Sequence, residues 1–531
     1  MVRRFSAALV VLFLAGGLLT LGSGGGARAA MASDTLVIAK DISDIHTPDP
    51  NKSYDISGVF LQFPIYSRLV KQEAPDLGMI KPDLAASWSI NPNATAMTFK
   101  LRDAKFGDGA PVTAEDVRFS LLRAKNLKGY GSFLADPLKD VEVVDPKTVR
   151  VVLTDPNAAF LATLTAGVFS IVEAKVVRAA GGVETPGADK IDKAEQIFFK
   201  QSVGTGPFRL AQYVRESQIV LERNDRYYGP APFFKTIIIK HVKEPATQSF
   251  MVQRGDADIA LDMTINQINA IRGKPGLQFF QDPSAWTTYI GLKTAVKPWD
   301  DPRVREAVKY AVDYDGLING VLHGSARQLG SIMMPGLLGF PESLNRELQY
   351  KQNLNKAKTM LAEAGISTAK PVHVDFVWGL GFSYGTGSAD SIAQKVRADW
   401  QRVGIILDPK PVQGGILLTT ARTGKPPTIL NTWYPDYFDP DNFTYFASGF
   451  VAKRFNWQDA IGKKDAEDAA ATSDVAKRAR LYEDYNRRIA APSSPYVFMV
   501  QTYAVVPARD NLTGYHFHPF FFLQLDSLRR K

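Results

Sequence analysis

The chain of 531 residues contains no cysteine. That excludes a disulfide framework, and it leaves no thiol near the amino terminus to carry a lipid anchor. Histidine is scarce, with six in all. His516 and His518 would place two rings on one face of a strand, but two ligands do not close a metal site, and no metal or other cofactor is expected. No Walker A lysine is present, Gly379-Leu380-Gly381 lacks the third glycine of a dinucleotide loop, and Asp439-Pro440-Asp441 lacks the glycine and glutamate of a calcium-binding loop. No period of 20 to 50 residues recurs, which excludes a repeat solenoid. Beyond residue 30 no apolar run is long enough to span a membrane. Basic residues are interleaved with acids, so no nucleic-acid footprint is expected.

What is present reads as a large globular protein with a leader. Hydrophobic residues make up 45%, aromatic residues 11% and charged residues 22%, near the average for soluble domains, and the length suggests about three domains. Residues 1–29 have the layout of a signal peptide: Arg3 and Arg4, an apolar run from Ala7 to Leu21, a Gly/Ser stretch, and small residues at Ala27 and Ala29. Ala30-Met31-Ala32 offers a second cleavage site, and the arginine pair also suits a twin-arginine leader. Cleavage near Ala29 removes three arginines and leaves 60 basic against 54 acidic residues. A freely diffusing, unanchored periplasmic monomer is expected.

Hydrophobic period places the elements. Thr35 to Ala39 reads as a strand and Asp41 to Tyr54 as a loop; Met97, Phe99 and Leu101, then Val149, Val151 and Leu153, alternate as half-buried strands do. Thr113 with Asp116 forms a capping-box pattern that opens a helix with Val117 and Leu121 inward. Gly181 to Lys190 reads as a surface loop at a lobe boundary, followed by strands near Ile219–Leu221 and Thr236–Ile239 and a helix from about Pro245 to Gly255. Asp301-Pro302 starts a helix that buries Val304, Ala307, Val308 and Ala311; Asn355 opens another that Gly365 stops. Val372–Trp378, Ser388–Val403 and Ile405–Leu407 form a βαβ unit.

Three constellations carry chemistry. Gly381-Phe382-Ser383-Tyr384-Gly385 matches a nucleophile elbow, and Asp436 or Asp439 and then His516 or His518 follow in hydrolase order, which makes a secreted serine hydrolase using Ser383 the alternative function. The intervening glycines instead suit a loop in a βαβ crossover. His516 and His518 read as part of a carboxy-terminal aromatic strand. Trp433 to Pro440 crowds rings around carboxylates, as pockets for cationic groups do.

Four stretches together resemble the family 5 extracellular solute-binding proteins of ABC importers. They are Phe99 to Val117 (FKLRDAKFGDGAPVTAEDV), Gly204 to Phe208 (GTGPF) with Glu222 to Tyr227 (ERNDRY), Asp301 to Val308 (DPRVREAV), and Trp433 to Phe443 (WYPDYFDPDNF). Gly255 to Asp258 (GDAD) adds to them. The resemblance implies an α/β fold of two lobes, a periplasmic binding protein of type II, similar to cluster C, with a two-strand hinge. Residues 33–68, 170–284 and 499–531 would form lobe I, 69–169 its extra subdomain, and 286–498 lobe II. It implies capture of a peptide or similar small polar solute without chemistry, and delivery to permease subunits in the inner membrane. A chaperone or a sensor partner would share the same fold. In peptide-binding relatives the aspartate three residues after the motif tryptophan holds the ligand's amino group, which here is Asp436. Trp433, Tyr437, Trp286, Trp378, Tyr384 and Tyr54 are the ring candidates. Two departures stand out: the carboxylate-binding arginine of dipeptide binders is missing from Ser388-Ala389-Asp390-Ser391, and Leu292-Lys293 replaces the usual asparagine. The missing arginine points toward a longer peptide or another amine-bearing or polyhydroxylated solute.

Overall fold

Strand β1 (Thr35–Lys40) is built from Leu36, Val37, Ile38 and Ala39, all buried, so it lies inside a sheet rather than at its edge. The computed structural model describes residues 34–73, 77–381, 383–384, 387–519 and 522–531, without the side chains of Tyr384 and Phe522. The leader expected at residues 1–29 lies outside this range. No described helix is long and apolar enough to cross a membrane.

Strands β2 (Ala85–Ile90), β3 (Ala96–Leu101), β4 (Leu138–Asp145) and β5 (Thr148–Leu153) form an antiparallel sheet in the order β2-β3-β5-β4. Met97, Phe99, Val149 and Val151 point inward against helix α1 (Ala114–Asn126), whose capping box of Thr113 and Asp116 is formed as its spacing predicts.

A larger sheet takes in nine further strands that follow one path with β1. They are β6 (Phe208–Val214), β7 (Gln218–Arg223), β8 (Thr236–His241), β9 (Ile259–Ala260), β10 (Leu277–Leu292), β11 (Val372–Val377), β12 (Ile405–Pro409), β13 (Thr428–Trp433) and β14 (Tyr496–Arg509). With β1 they run in the order β12-β11-β13-β10-β14-β9-β1-β8-β7-β6. Helices α2 (Pro245–Arg254), α3 (Pro302–Ala311), α4 (Leu354–Glu363) and α5 (Ala389–Gln401) cover it, and β11, α5 and β12 form the expected parallel βαβ unit. One detail differs from expectation: α4 is capped by Asn353, whose Oδ1 accepts from the Lys356 amide at 2.9 Å, two residues before Asn355. Asn353 holds the extended conformation that a cap needs, whereas Asn355 already lies within the helix.

β10 and β14 are 16 and 14 residues long and pair antiparallel along their length. From Leu277↔Arg509 to Pro283↔Tyr503 the register is regular; it shifts between Pro283 and Thr287 and again before Tyr289. Pro283 is the last residue in the regular register, paired with Tyr503, and the shift follows it. On one side of this break the ladder adjoins the core of β1, β6, β7 and β8, and on the other a core of Ile290, Leu292, Trp299, Phe376 and Trp400.

Most family-like stretches serve the fold. Gly206 donates to the Ile65 carbonyl at 2.9 Å, and a Cβ there would lie 2.5 Å from the Pro64 oxygen, so only glycine permits the approach. Asp258 accepts from the Val37 amide at 2.9 Å and pairs with Arg530. Arg305 of α3 donates to the carbonyls of Trp299 and Ser493.

Arg123 of α1 is fully buried and bidentate to Asp49 at 2.6 and 2.8 Å and to Asp192 at 2.9 and 3.0 Å, which ties the loop after β1 to the four-stranded sheet. Replacing Arg123 by Met should strand two buried carboxylates and cost about 3–5 kcal/mol of stability, read by urea unfolding. A loss below 1 kcal/mol would show that the network contributes little.

Candidate binding site

β13 carries Ile429 and Leu430 into the core and pairs Trp433 with Thr287 of β10. Pro435 and Pro440 then turn the chain off the sheet, and Asp439 caps the turn Pro440–Phe446 by accepting from the Asp441 amide at 2.9 Å. Arg478 holds Asp439 at 2.8 and 3.0 Å, which fixes this loop against the helix Val475–Ile489.

Asp436 lies at the centre of the loop. Its backbone amide donates to Asn442 Oδ1 at 3.2 Å, and Asn442 Nδ2 donates back to Asp436 Oδ2 at 3.4 Å. The Tyr54 hydroxyl donates to Asp436 Oδ1. These partners are neutral. Burial therefore dominates and pushes the carboxyl up from 3.8 to about 6, with the Tyr54 and Asn442 hydrogen bonds only partly offsetting it.

Rings surround this carboxylate. Trp433 packs against Tyr445 and Phe446, both at 5.6 Å between centroids, and Phe450 at 6.0 Å. Trp286 meets Tyr434 at 4.6 Å, and Tyr54 meets Phe133 edge-on at 5.9 Å. The Trp433 indole N–H is buried without a hydrogen-bond partner among the described residues. Beside these rings opens a cavity of about 440 Å³ lined by Phe133, Arg422, Thr423, Gly424, Phe450, Lys453 and Arg454.

The expected residues therefore divide. Asp436, Tyr54, Trp433 and Trp286 lie on or next to the loop that Asp436 centres. Tyr437 is buried in the core of the four-stranded sheet and donates to Asp441 at 3.0 Å. Trp378 is also buried, and its indole N–H donates to Asp390 at 2.7 Å. The Tyr384 side chain lies outside the described residues. Asn442, Tyr445, Phe450, Arg422, Lys453 and Arg454 were not anticipated. Tyr445 and Phe450 continue the aromatic run after Trp433, which is a usable signal, whereas Arg422 ends one short helix and Lys453 and Arg454 end another, about thirty residues on, with no motif joining them.

The two departures find places. Where an arginine is missing, the Asp390 carboxylate is taken up by Trp378 and by the Gly381 amide at 2.9 Å. Lys293 donates to the Gly424 carbonyl at 2.6 Å, beside the cavity.

The hydrolase alternative is corrected. Ser383 lies in a hairpin with Ser388, exposed, and not at a strand-to-helix elbow; Phe382 and Gly385 lie outside the described residues. The supposed partners are engaged elsewhere, Asp439 with Arg478 and Asp436 with Tyr54. His518 is buried with Nε2 3.3 Å from the Gln72 carbonyl, and burial with Arg68 nearby holds it well below the usual imidazole range. Among the described residues no cluster of three or more metal-ligating side chains occurs.

A loop fixed by buried pairs thus sets a carboxylate held by neutral donors next to a ring-lined cavity. Residues 79–452 match the family described as bacterial extracellular solute-binding proteins, family 5, and the chain belongs to that family of non-enzymatic binding proteins. It is 30% identical over 504 residues to the probable D,D-dipeptide-binding periplasmic protein of Escherichia coli (strain K12), covering 93% of each chain. It is 28% identical over 495 residues to the dipeptide-binding protein of the same organism, covering 88% of each. The mixed α/β fold matches the structure of HbpA2 from Haemophilus parasuis with a TM-score of 0.80 at 23% identity, over 94% of this chain and 100% of that one.

Because Asp436 is harder to ionise in the folded protein than in the unfolded chain, its charge costs stability above pH 6 and nothing below pH 4. Asp436→Asn should therefore stabilise the unliganded protein by about 1–3 kcal/mol at pH 7.5, with the gain vanishing at pH 4 in urea titrations. Equal stability of the two proteins at both pH values would contradict this environment for the carboxyl.

Proposed function

We propose that this protein is the periplasmic substrate-binding component of an ABC importer, which captures an amine-bearing peptide or similar polar solute between two lobes and delivers it to permease subunits in the inner membrane. The observation that carries this reading is the carboxylate of Asp436, desolvated among rings and held only by neutral donors. Such a group has its strongest available partner in a cation, and a peptide ammonium supplies one with a charge-assisted hydrogen bond. The names of the relatives, which describe binding of D,D-dipeptides and dipeptides, support a peptide-like solute. The leader at residues 1–29, cleaved near Ala29, supports export.

In this reading residues 33–68, 170–284 and 499–531 form lobe I, 69–169 its extra subdomain, and 286–498 lobe II. The register break at Pro283–Thr287 is the hinge, since two interrupted strands can bend without opening either core. Tyr54 and Asp436 come from opposite lobes, as do Gln72 and Phe438, whose Nε2–H···O contact is 2.7 Å. A solute seated among them touches both lobes only when these are together, so its binding energy favours closure. Asp390, where dipeptide binders carry an arginine, argues for a solute longer or differently charged than a simple dipeptide.

Mass spectrometry of the natively purified protein should identify an amine-bearing solute. Asp436→Asn should weaken its binding at least tenfold by calorimetry, and wild-type affinity should fall as pH drops through about 6. Small-angle scattering should show a smaller radius with solute than without it. An affinity indifferent to Asp436→Asn, or a radius that does not change, would remove the anchor or the closure respectively.

A further inference from the structure

The cavity beside Asp436 carries three cationic side chains, Arg422, Lys453 and Arg454. None of the three has an ion-pair partner among the described residues. Arg454 is half-buried, its guanidinium lies 5.1 Å from the Phe450 ring centroid, and its hydrogen bond goes to the neutral Tyr289 hydroxyl. Burial and the charge of Arg422 both work against its proton. Like charges gathered on one wall repel, and part-burial of Arg454 weakens the water that would screen them. Arg422 and Lys453 are exposed, and two partly exposed phenyl rings, Phe133 and Phe450, wall the cavity beside them.

The cavity is continuous with the carboxylate site through shared rings. Tyr54, whose hydroxyl donates to Asp436, meets Phe133 and lies within the field of Arg422. Trp433 and Tyr445 both pack on Phe450, at 6.0 and 4.6 Å. Lys293 holds the Gly424 carbonyl and so fixes the end of the helix Leu417–Arg422. The acids that act on the Tyr54–Tyr445 side are Asp436, Asp441 and Asp136, and Asp441 is already bonded to Tyr437.

We infer that the solute carries, besides the cationic group held at Asp436, an additional carboxylate seated among Arg422, Lys453 and Arg454, so that acidic peptides are preferred over their neutral isosteres. This rests on the peptide-capture reading above and specifies the class of solute.

Calorimetry on the mature protein with Ala-Glu, Ala-Gln and glutarate tests it. Ala-Glu should bind at least tenfold tighter than its amide isostere Ala-Gln. In Arg422→Gln/Arg454→Gln, with circular dichroism confirming the fold, the ratio should fall to about one; Lys453→Gln, at an exposed position, should reduce it at least threefold and serves if the double variant does not fold. Glutarate, which has no amine, should bind wild type weakly and the double variant not at all. Peptide binding with equal affinities for Ala-Glu and Ala-Gln and no glutarate binding would overturn the inference and leave peptide capture standing. A wild-type preference that survives all three substitutions would overturn the assignment to these side chains. Glutarate binding without peptide binding would uphold the anionic pocket and remove the peptide reading. Binding of none of the probes would overturn both.

Discussion

The candidate site depends on one electrostatic demand, a carboxylate partly withdrawn from water and given only neutral partners. Tyr54 and Asn442 orient Asp436, but neither brings a positive charge. Elsewhere some buried carboxylates are paired with cations, Asp49 and Asp192 with Arg123 and Asp258 with Arg530, while Asp83 and Asp116 are held by neutral donors within the fold. The cost of keeping Asp436 this way is met by the rigid loop beneath it, where Asp439 and Arg478 fix the backbone.

Much of the fold was legible in the sequence because periodicity and caps are local. The alternation in β3 and β5, the Thr113 capping box and the Asp301-Pro302 start all predict the elements formed. Asn353 and Asn355 show the limit, since two asparagines two residues apart are equally good caps by type and only the backbone conformation separates them. The parallel βαβ unit and two strands of the four-stranded sheet follow from short-range pattern, whereas Ala85–Ile90 and Leu138–Asp145 were not anticipated. The pairing of β10 with β14 joins segments more than 200 residues apart and leaves no local trace.

The site was legible in part. Trp433 and Asp436 sit in a dense aromatic motif that announces itself, and the family resemblance places the aspartate. The same density misleads at Tyr437, one residue on, because neighbours in a loop face opposite ways and this ring turns into a core. Trp378 read as a cleft ring because it ends a strand, yet Asp390, one helical entry later, draws its indole inward. Arg422 and Arg454 carried no signal, since their meaning comes from the approach of two short helices. The family-like stretches at Gly204 and Asp301 are fold devices, which explains why they identify the family and say nothing of its solute.

Tyr437 has a further effect. Its phenol ring comes from the loop after β13 and is only 3% exposed, plugged into the apolar interior beneath the four-stranded sheet. Any motion that parts that loop from the sheet must uncork the ring, which costs about 1.5–3 kcal/mol for a large side chain returned to water. A single ring thus fastens the loop after β13 to a sheet built from a distant part of the chain.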